Sequence, residues 1–417
     1  MLRNPLRSGL LAALLAAIAP LSGTVANSPS APDERLSAAS CAAFGFDFYS
    51  ALNKEPKYKP ETDSNIAFSP FSLASVLEVL RSGASGTTEK ELANALHQPA
   101  VASNGPDILS PGALDYKGVT LAMGNSLWPD QSLTLEKDFT DQTEKSFGSV
   151  VFPIDFSKQE EASAKINGWI SDHTEGHITD LLTPDDMRGL VLGIANAIYF
   201  KGTWATPFDA KRTLNQPFHL ASGSTVSVPT MQNTAQFQYA EVDGVQFLSA
   251  PYAGNAVSMV FILPKAGAQE LDKLSSRLTE AWADAPGESG FLDTAIQHMK
   301  ATRVLVSIPR FTFKFQPGNA IAVLETLGIK KMFTGSAEFE KISKTALYVT
   351  LFRHRAWLEV NEQGTEAAAA TFAGMTRAMA RRDDPLIFLA DHPFLFVIRH
   401  NATGTPLFIG RVSNPAN

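Results

Sequence analysis

Cysteine is nearly absent from this 417-residue chain, where Cys41 stands alone. A single thiol closes no intramolecular disulfide, and no Cys/His cluster has zinc-ligand spacing, so stability must come from packing. Positive charge is also in short supply: 35 Lys and Arg face 42 Asp and Glu, for a net charge of −7. That is the wrong sign for a surface that neutralises phosphates, which argues against nucleic acid as a partner. No repeat or low-complexity array occurs, so solenoids and propellers are excluded. Catalytic motifs are missing as well: there is no Gly-x-Ser-x-Gly, His-Glu-x-x-His, P-loop or dinucleotide glycine pattern, and the eight histidines are scattered. A Ser-His-Asp triad assembled in space stays open, which keeps a hydrolase as a minor alternative. No stretch has linker composition. The Pro/Gly-rich pieces Gln98 to Gly118 and Ala283 to Gly290 read as connections within one domain.

What is present is an apolar fraction of 44% against 18% charged residues, enough for a large core. At the amino terminus, Arg3 and Arg7 precede an apolar run from Gly9 to Ile18, then Pro20, Gly23 and the small-residue exit Thr24-Val25-Ala26. This pattern reads as a signal peptide over residues 1–26, ahead of a single domain over 27–417 in a secreted or periplasmic protein. The run is well short of the ~20 apolar residues of a spanning helix. The Ala/Leu-rich style suggests a bacterial envelope or secreted protein. Cys41 after Ala39-Ser40 has some look of a lipoprotein site but lies far beyond the apolar run, so a buried free thiol is the reading.

Helical signals concentrate in the first half. Ser69-Pro70 opens a helix over Phe71 to Ser82 that Gly83 closes, Thr88-Glu89-Lys90-Glu91 starts another, and Gln159 to Thr174 forms a third. Strands follow at Leu190 to Phe200, Ala256 to Leu263, Val304 to Ile308 and Leu395 to Ile398. The fold class is α+β. The first of these strands is so continuously apolar that it must be central and covered on both faces, with Asn196 a buried polar exception needing a partner.

The most informative stretch runs from Val360 to Thr371, Val-Asn-Glu-Gln-Gly-Thr-Glu-Ala-Ala-Ala-Ala-Thr. Propensity says helix, whereas the flanking strand-like segments Ala356 to Val360 and Leu395 to Ile398 say exposed loop. The alternate positions Thr365, Ala367, Ala369, Thr371, Ala373 and Met375 carry no charge and no proline, so one face of the segment is able to enter an interior. Glu366 falls on the other face. The bland alternative is a short exposed helix and loop.

Five segments in order carry a resemblance to the serpin family: Asn65 to Ser72, Asn196 to Trp204, Pro207-Phe208, Asn361 to Thr371, and Asp391 to Phe396. The resemblance covers essentially the whole chain after residue 26. It implies three β-sheets, eight or nine helices, an exposed reactive-centre loop over about 362–390, and suicide inhibition of a serine protease or sometimes a cysteine protease, by a monomer. In that mechanism the protease cleaves the loop, forms an acyl-enzyme, and is trapped when the hinge inserts into the main sheet. The hinge maps to Glu362, Gly364, Thr365, Glu366, Ala367, Ala368, Ala369, Ala370 and Thr371. Seventeen positions counted from Glu362 put the specificity residue at Ala378 and the cut before Met379, while eleven counted back from Pro393 give Arg382, so the loop is four residues longer than usual in the family. The inserted strand, at about 3.3 Å per residue, is the tether whose length matters, which favours Ala378 and an elastase-like target. Arg377, Arg381 and Arg382 remain alternatives that would recruit trypsin-like enzymes. By the same match Ser69, Ser72, Asn196 and His354 form a polar cluster under the main sheet, while Trp204 and the pair Arg310 with Glu362 sit where the hinge enters. Each has an ordinary core-packing or surface-pair reading beside it. No cofactor or metal is implied, and His97 to Leu135 contains only Lys117 as a strong base, so no heparin-type site is expected. A non-inhibitory binding or chaperone member of the family is the remaining alternative.

Overall fold

The computed structural model describes residues 37–98, 116–147, 150–267, 270–283, 290–365 and 384–417. The expected signal peptide, residues 1–26, lies outside them. Eight α-helices occur among the described residues: α1 (Ala38–Lys54), α2 (Pro70–Gly83), α3 (Gly86–Ala95), α4 (Lys137–Phe147), α5 (Gln159–Asp172), α6 (Leu271–Ala283), α7 (Phe291–His298) and α8 (Ala320–Thr326). The strands are β1 (Ile66–Phe68), β2 (Val119–Pro129), β3 (Val150–Val151), β4 (Leu192–Thr203), β5 (Leu214–His219), β6 (Thr225–Val242), β7 (Val245–Pro251) and β8 (Val257–Pro264). They continue with β9 (Lys300–Pro309), β10 (Phe311–Phe315), β11 (Val349–Asn361), β12 (Gly364–Thr365), β13 (Leu386–Leu389), β14 (Phe394–His400) and β15 (Pro406–Val412).

Local chemistry explains the helix boundaries. The Ser69 hydroxyl caps α2 by accepting from the Ser72 N–H at 3.0 Å, and Pro70 takes the first helical position. Gly83 is the last residue of α2 rather than its stop. A Cβ there would lie 2.3 Å from Ile342, so packing excludes one. Cys41 is buried in α1 as a free thiol, and burial pushes its pKa up. Five of the eight helices lie in the first half, where helical signals concentrate, and α6 to α8 add three that the sequence reading did not locate. Leu271, Leu274 and Leu278 form a buried stripe at three- and four-residue spacing on α6, whereas α7 and α8, with 8 and 7 residues, are too short for a pattern to register.

The strands build one six-stranded sheet in the order β10-β11-β12-β4-β2-β3 and a nine-stranded one, in which eight strands follow the order β1-β15-β14-β8-β7-β6-β9-β13 and β5 pairs with β6 off that path. Strand β6 is long enough to serve two sheets: Thr225–Thr230 pairs with β5, Thr230–Tyr239 with β9, and Gln238–Val242 with β7. Together with the six-stranded sheet this makes three sheets in an α+β fold.

Strand β4 is central, as its composition requires, and its side chains alternate between two cores. Ile194, Ile198 and Phe200 join the main core, which also holds buried residues of α1, α2, β8, β14 and β15. Ala195, Ala197 and Tyr199 point to the other face, where they pack with Ile166 and Ile170 of α5 and with Ile178, Leu181 and Leu182. This two-faced burial sets up the site, because β4 and β11 form a seam in the middle of the sheet.

Candidate functional site

The seam between β4 and β11 is built differently at its two ends. Over most of its length the strands pair directly in parallel, from Leu192 opposite Val349 to Phe200 opposite Leu358. Above that point the chain turns after Asn361 and comes back as β12, which lies between them: Gly364 pairs with both Thr203 and Asn361, and Thr365 with both Gly202 and Val360. The sheet is therefore parted at its upper end and closed below.

At the parted end each contact fits a particular residue. Gly364 has φ +151°, and a Cβ on it would lie 1.8 Å from the Gly202 carbonyl oxygen, so only glycine threads this gap. Thr365 is fully buried, its hydroxyl 2.7 Å from the Tyr252 hydroxyl. Tyr252 stacks on Trp204 with ring centroids 4.5 Å apart, and burial pushes its phenol pKa up, against the smaller opposing effect of the Thr365 hydrogen bond. The Trp204 indole N–H donates to the Asn361 carbonyl at 3.0 Å, and the Trp204 backbone N–H to that of Gln363 at 2.8 Å. Glu362 accepts from Arg310 Nε at 2.8 Å and from the Thr213 hydroxyl. Burial alone would raise the Glu362 carboxyl, but the hydrogen bonds from Arg310 and Thr213 outweigh it and hold the pKa below the usual glutamate value. This is no surface pair: the Glu362 side chain is 6% exposed against 44% for Arg310.

In the closed part, side chains make the bonds across the core face. His354 and Asn196 are register partners. The Ser69 N–H donates to His354 Nε2 at 3.3 Å, so the ring proton sits on Nδ1 and is given to Asn196 Oδ1. Asn196 Nδ2 in turn donates to the Ser72 hydroxyl at 2.7 Å and to Asn125 Oδ1. Complete burial holds the His354 pKa down to about 3, so the ring is neutral, as this bonding pattern requires.

The structure thus brings Ser69, Ser72, Asn196 and His354 into one cluster, and Trp204, Arg310 and Glu362 into another, with Gly364 and Thr365 between β4 and β11. Glu366, Ala367, Ala368, Ala369, Ala370, Thr371, Arg377, Ala378, Met379, Arg381 and Arg382 lie outside the described residues. Sequence reading missed Asn125, Thr213 and Tyr252. Asn125 carries a usable signal, a lone amide in the apolar strand Leu121 to Trp128, whereas Thr213 and Tyr252 meet partners 149 and 113 residues away. Among the described residues, no group of three or more His, Cys, Asp or Glu side chains is placed to hold a metal ion.

A family model described as "Serpin (serine protease inhibitor)" matches residues 39–415. The chain belongs to the serpin family. Among its relatives is Serpin-Z2B of Triticum aestivum, 33% identical over 404 residues that cover 92% of this chain and 98% of the relative. A leukocyte elastase inhibitor of Sus scrofa is also 33% identical, over 403 residues covering 92% and 100% of the two chains. Among solved serpin folds, uncleaved ovalbumin superposes with a TM-score of 0.75 at 24% identity, covering 91% of this chain and all of that one. Serpins as a family inhibit serine proteases rather than catalyse a reaction.

Proposed function

We propose that this serpin is a suicide inhibitor of a serine protease that works by inserting its cleaved loop into the β4–β11 seam. The observation that carries the reading is Thr365, fully buried between the two strands with the seam closed directly beneath it. Extending both pairings one residue at a time brings Ala367 between Phe200 and Leu358, Ala369 between Ile198 and Ala356, and Thr371 between Asn196 and His354. The two registers agree at every step. Small apolar side chains meet the apolar core, and a hydroxyl arrives at the polar cluster of Ser69, Ser72, Asn196 and His354, where it is able to replace bonds that parting the seam breaks.

In this reading the protease attacks the loop as a substrate and becomes acylated; insertion then drags the tethered enzyme away and distorts its active site before water completes the hydrolysis. Some ten inserted residues add ladder hydrogen bonds at roughly 0.5–1.5 kcal/mol each, on the order of 10 kcal/mol, so the uncleaved fold is a kinetic trap. Ala378 is our specificity residue, with the cut before Met379, which suits a protease with a narrow primary pocket. Residues 1–26 are read as an export signal of a bacterial protein that meets its protease outside the cytoplasm. The test is incubation with elastase-, trypsin- and subtilisin-like proteases. We expect a detergent-resistant covalent complex with the elastase-like enzyme and a cut after Ala378. A complex only with trypsin-like enzymes moves the specificity to Arg377, Arg381 or Arg382, and cleavage by all three without any complex removes the inhibitory reading in favour of a binding or chaperone serpin.

A further inference from the structure

All but one of the exposed large hydrophobic side chains among the described residues sit on a single short strand. Leu386, Ile387 and Leu389 of β13 are 48%, 60% and 43% exposed, and the fourth, Leu214, lies apart on β5, with β6 and β9 in between. Strand β13 is the end of its sheet and pairs with β9, from Leu386 opposite Val304 to Leu389 opposite Ser307. Side chains alternate along it, so the fully buried Phe388 marks the core face, and Ile387 and Leu389 stand on the outer one. Beside Ile387 on that outer face is its register partner, the half-buried Leu305. A strand with one face in water usually carries polar residues there, and edge strands are commonly blunted with charge. Here the outer positions are Ile and Leu, and no residue from Leu386 to Ala390 is charged.

The edge of β13 is poorly suited to an added strand. Pro385 offers no N–H, and Gln246 Nε2 already donates to the Ile387 carbonyl at 2.9 Å. The face is what stays open, which argues against strand exchange with a second copy. The occupant follows from the position of β13 in the chain. From the proposed cut before Met379 to Ile387 is eight residues, about 28 Å of fully extended chain, and from a cut after Arg382 the reach is shorter still. A protease domain of about 200 residues is roughly 40 Å across, wide enough to reach β13 while it holds either bond. We infer that the outer face of β13, Ile387 and Leu389 with Leu305 beside them, is a docking surface for the target protease. The protease meets it with an uncharged, apolar stretch on the side of its cleft that takes the residues after the cut. Apolar contact there holds the encounter complex together long enough for acylation. This inference rests on the inhibitory reading and adds to it a contact made before cleavage, away from the seam.

The test measures the second-order rate of complex formation between the full chain and elastase-, trypsin- and subtilisin-like proteases, with the fraction of inhibitor that ends as complex read on denaturing gels. Ile387→Thr and Leu389→Thr together remove the apolar surface while keeping β-branched residues in the strand. This double variant is expected to form complex about tenfold more slowly than the unaltered chain, with the same fraction ending as complex and the same melting temperature, because docking precedes cleavage and the seam is untouched. Ile387→Lys alone, which sets a charge on the contact, is expected to slow the reaction to a similar degree, whereas Leu214→Thr, a comparably exposed residue on β5, leaves the rate unchanged. Equal rates for the double variant and the unaltered chain overturn the docking surface. So does a slower rate accompanied by a smaller complex fraction, which places the effect in insertion. Self-association of the unaltered chain in sedimentation that the double variant abolishes gives the face to a second copy and overturns it as well. If all three proteases cleave the unaltered chain without any complex, the inhibitory reading itself fails and the docking surface with it. That result is distinct from complex formation at a rate indifferent to Ile387 and Leu389.

Discussion

The two ends of the β4–β11 seam solve opposite problems with the same kinds of residue. At the upper end a third strand already lies between them: Tyr252 bonds it at Thr365, while Trp204, Thr213 and Arg310 bond the turn that leads into it, at Asn361 and Glu362. In the closed part His354, Asn196, Ser72 and Asn125 bond across the gap itself. On the insertion reading, bonds at the upper end survive because their partners lie in the turn and strand that insertion would extend. The direct bond from His354 to Asn196 does not, because its partners lie on strands that must separate. On that reading the first group fixes where insertion begins, and the second contributes to the barrier against its continuing.

Three experiments test that contrast. The largest effect is expected from nicking the loop, which lets insertion run to completion. A gain on the order of 10 kcal/mol in a domain of this size corresponds to a rise of roughly 10–15 °C in melting temperature, measured by calorimetry on intact and nicked protein. Identical melting would mean that the upper end is an ordinary hairpin and the contrast is empty.

Thr365→Arg strikes the upper end alone. An unpaired charge in this dry site costs several kcal/mol, so β12 should be expelled and the inserting strand should lose its first step. The complex formed with the target protease should fall to a small fraction of its original yield, with cleaved product in its place on a denaturing gel. Undiminished complex would show that insertion does not start at Thr365.

The smallest effect concerns the closed part and is read through pH. The His354 pKa lies at about 3 in the fold against 6.5 for the ordinary side chain, so the unfolded chain takes up a proton that the folded chain refuses. The contribution of neutral His354 is fully present above about pH 6.5 and is lost as pH falls towards 3, at up to about 1.4 kcal/mol per pH unit. Protonation turns an N–H towards the Ser69 N–H and ends that hydrogen bond. Urea midpoints between pH 6.5 and 5 should fall in the unaltered chain and stay flatter in His354→Asn. Parallel slopes would place the pH sensitivity elsewhere.

Much of this arrangement was legible in advance. The unbroken apolar run around Asn196 announced a central strand with a polar exception, and the uncharged side chain of Thr365 agrees with its burial between β4 and β11. The family resemblance grouped Ser69, Ser72 and His354 with Asn196. Thr213 and Tyr252 were illegible because nothing local distinguishes a hydroxyl on a connecting segment from one that bonds a residue over a hundred positions away.

Composition and periodicity by themselves settled that this chain folds around packing rather than staples, mixes helices with strands, and has a core strand read at 190–200, because burial of apolar side chains follows from spacing along the chain. Only the tertiary structure decided that Gly364 and Thr365 occupy the top of the seam, and that Glu362 is a buried carboxylate held by Arg310 and Thr213. Those facts depend on which distant residues become neighbours, and that is a property of the folded sheet rather than of any stretch of sequence.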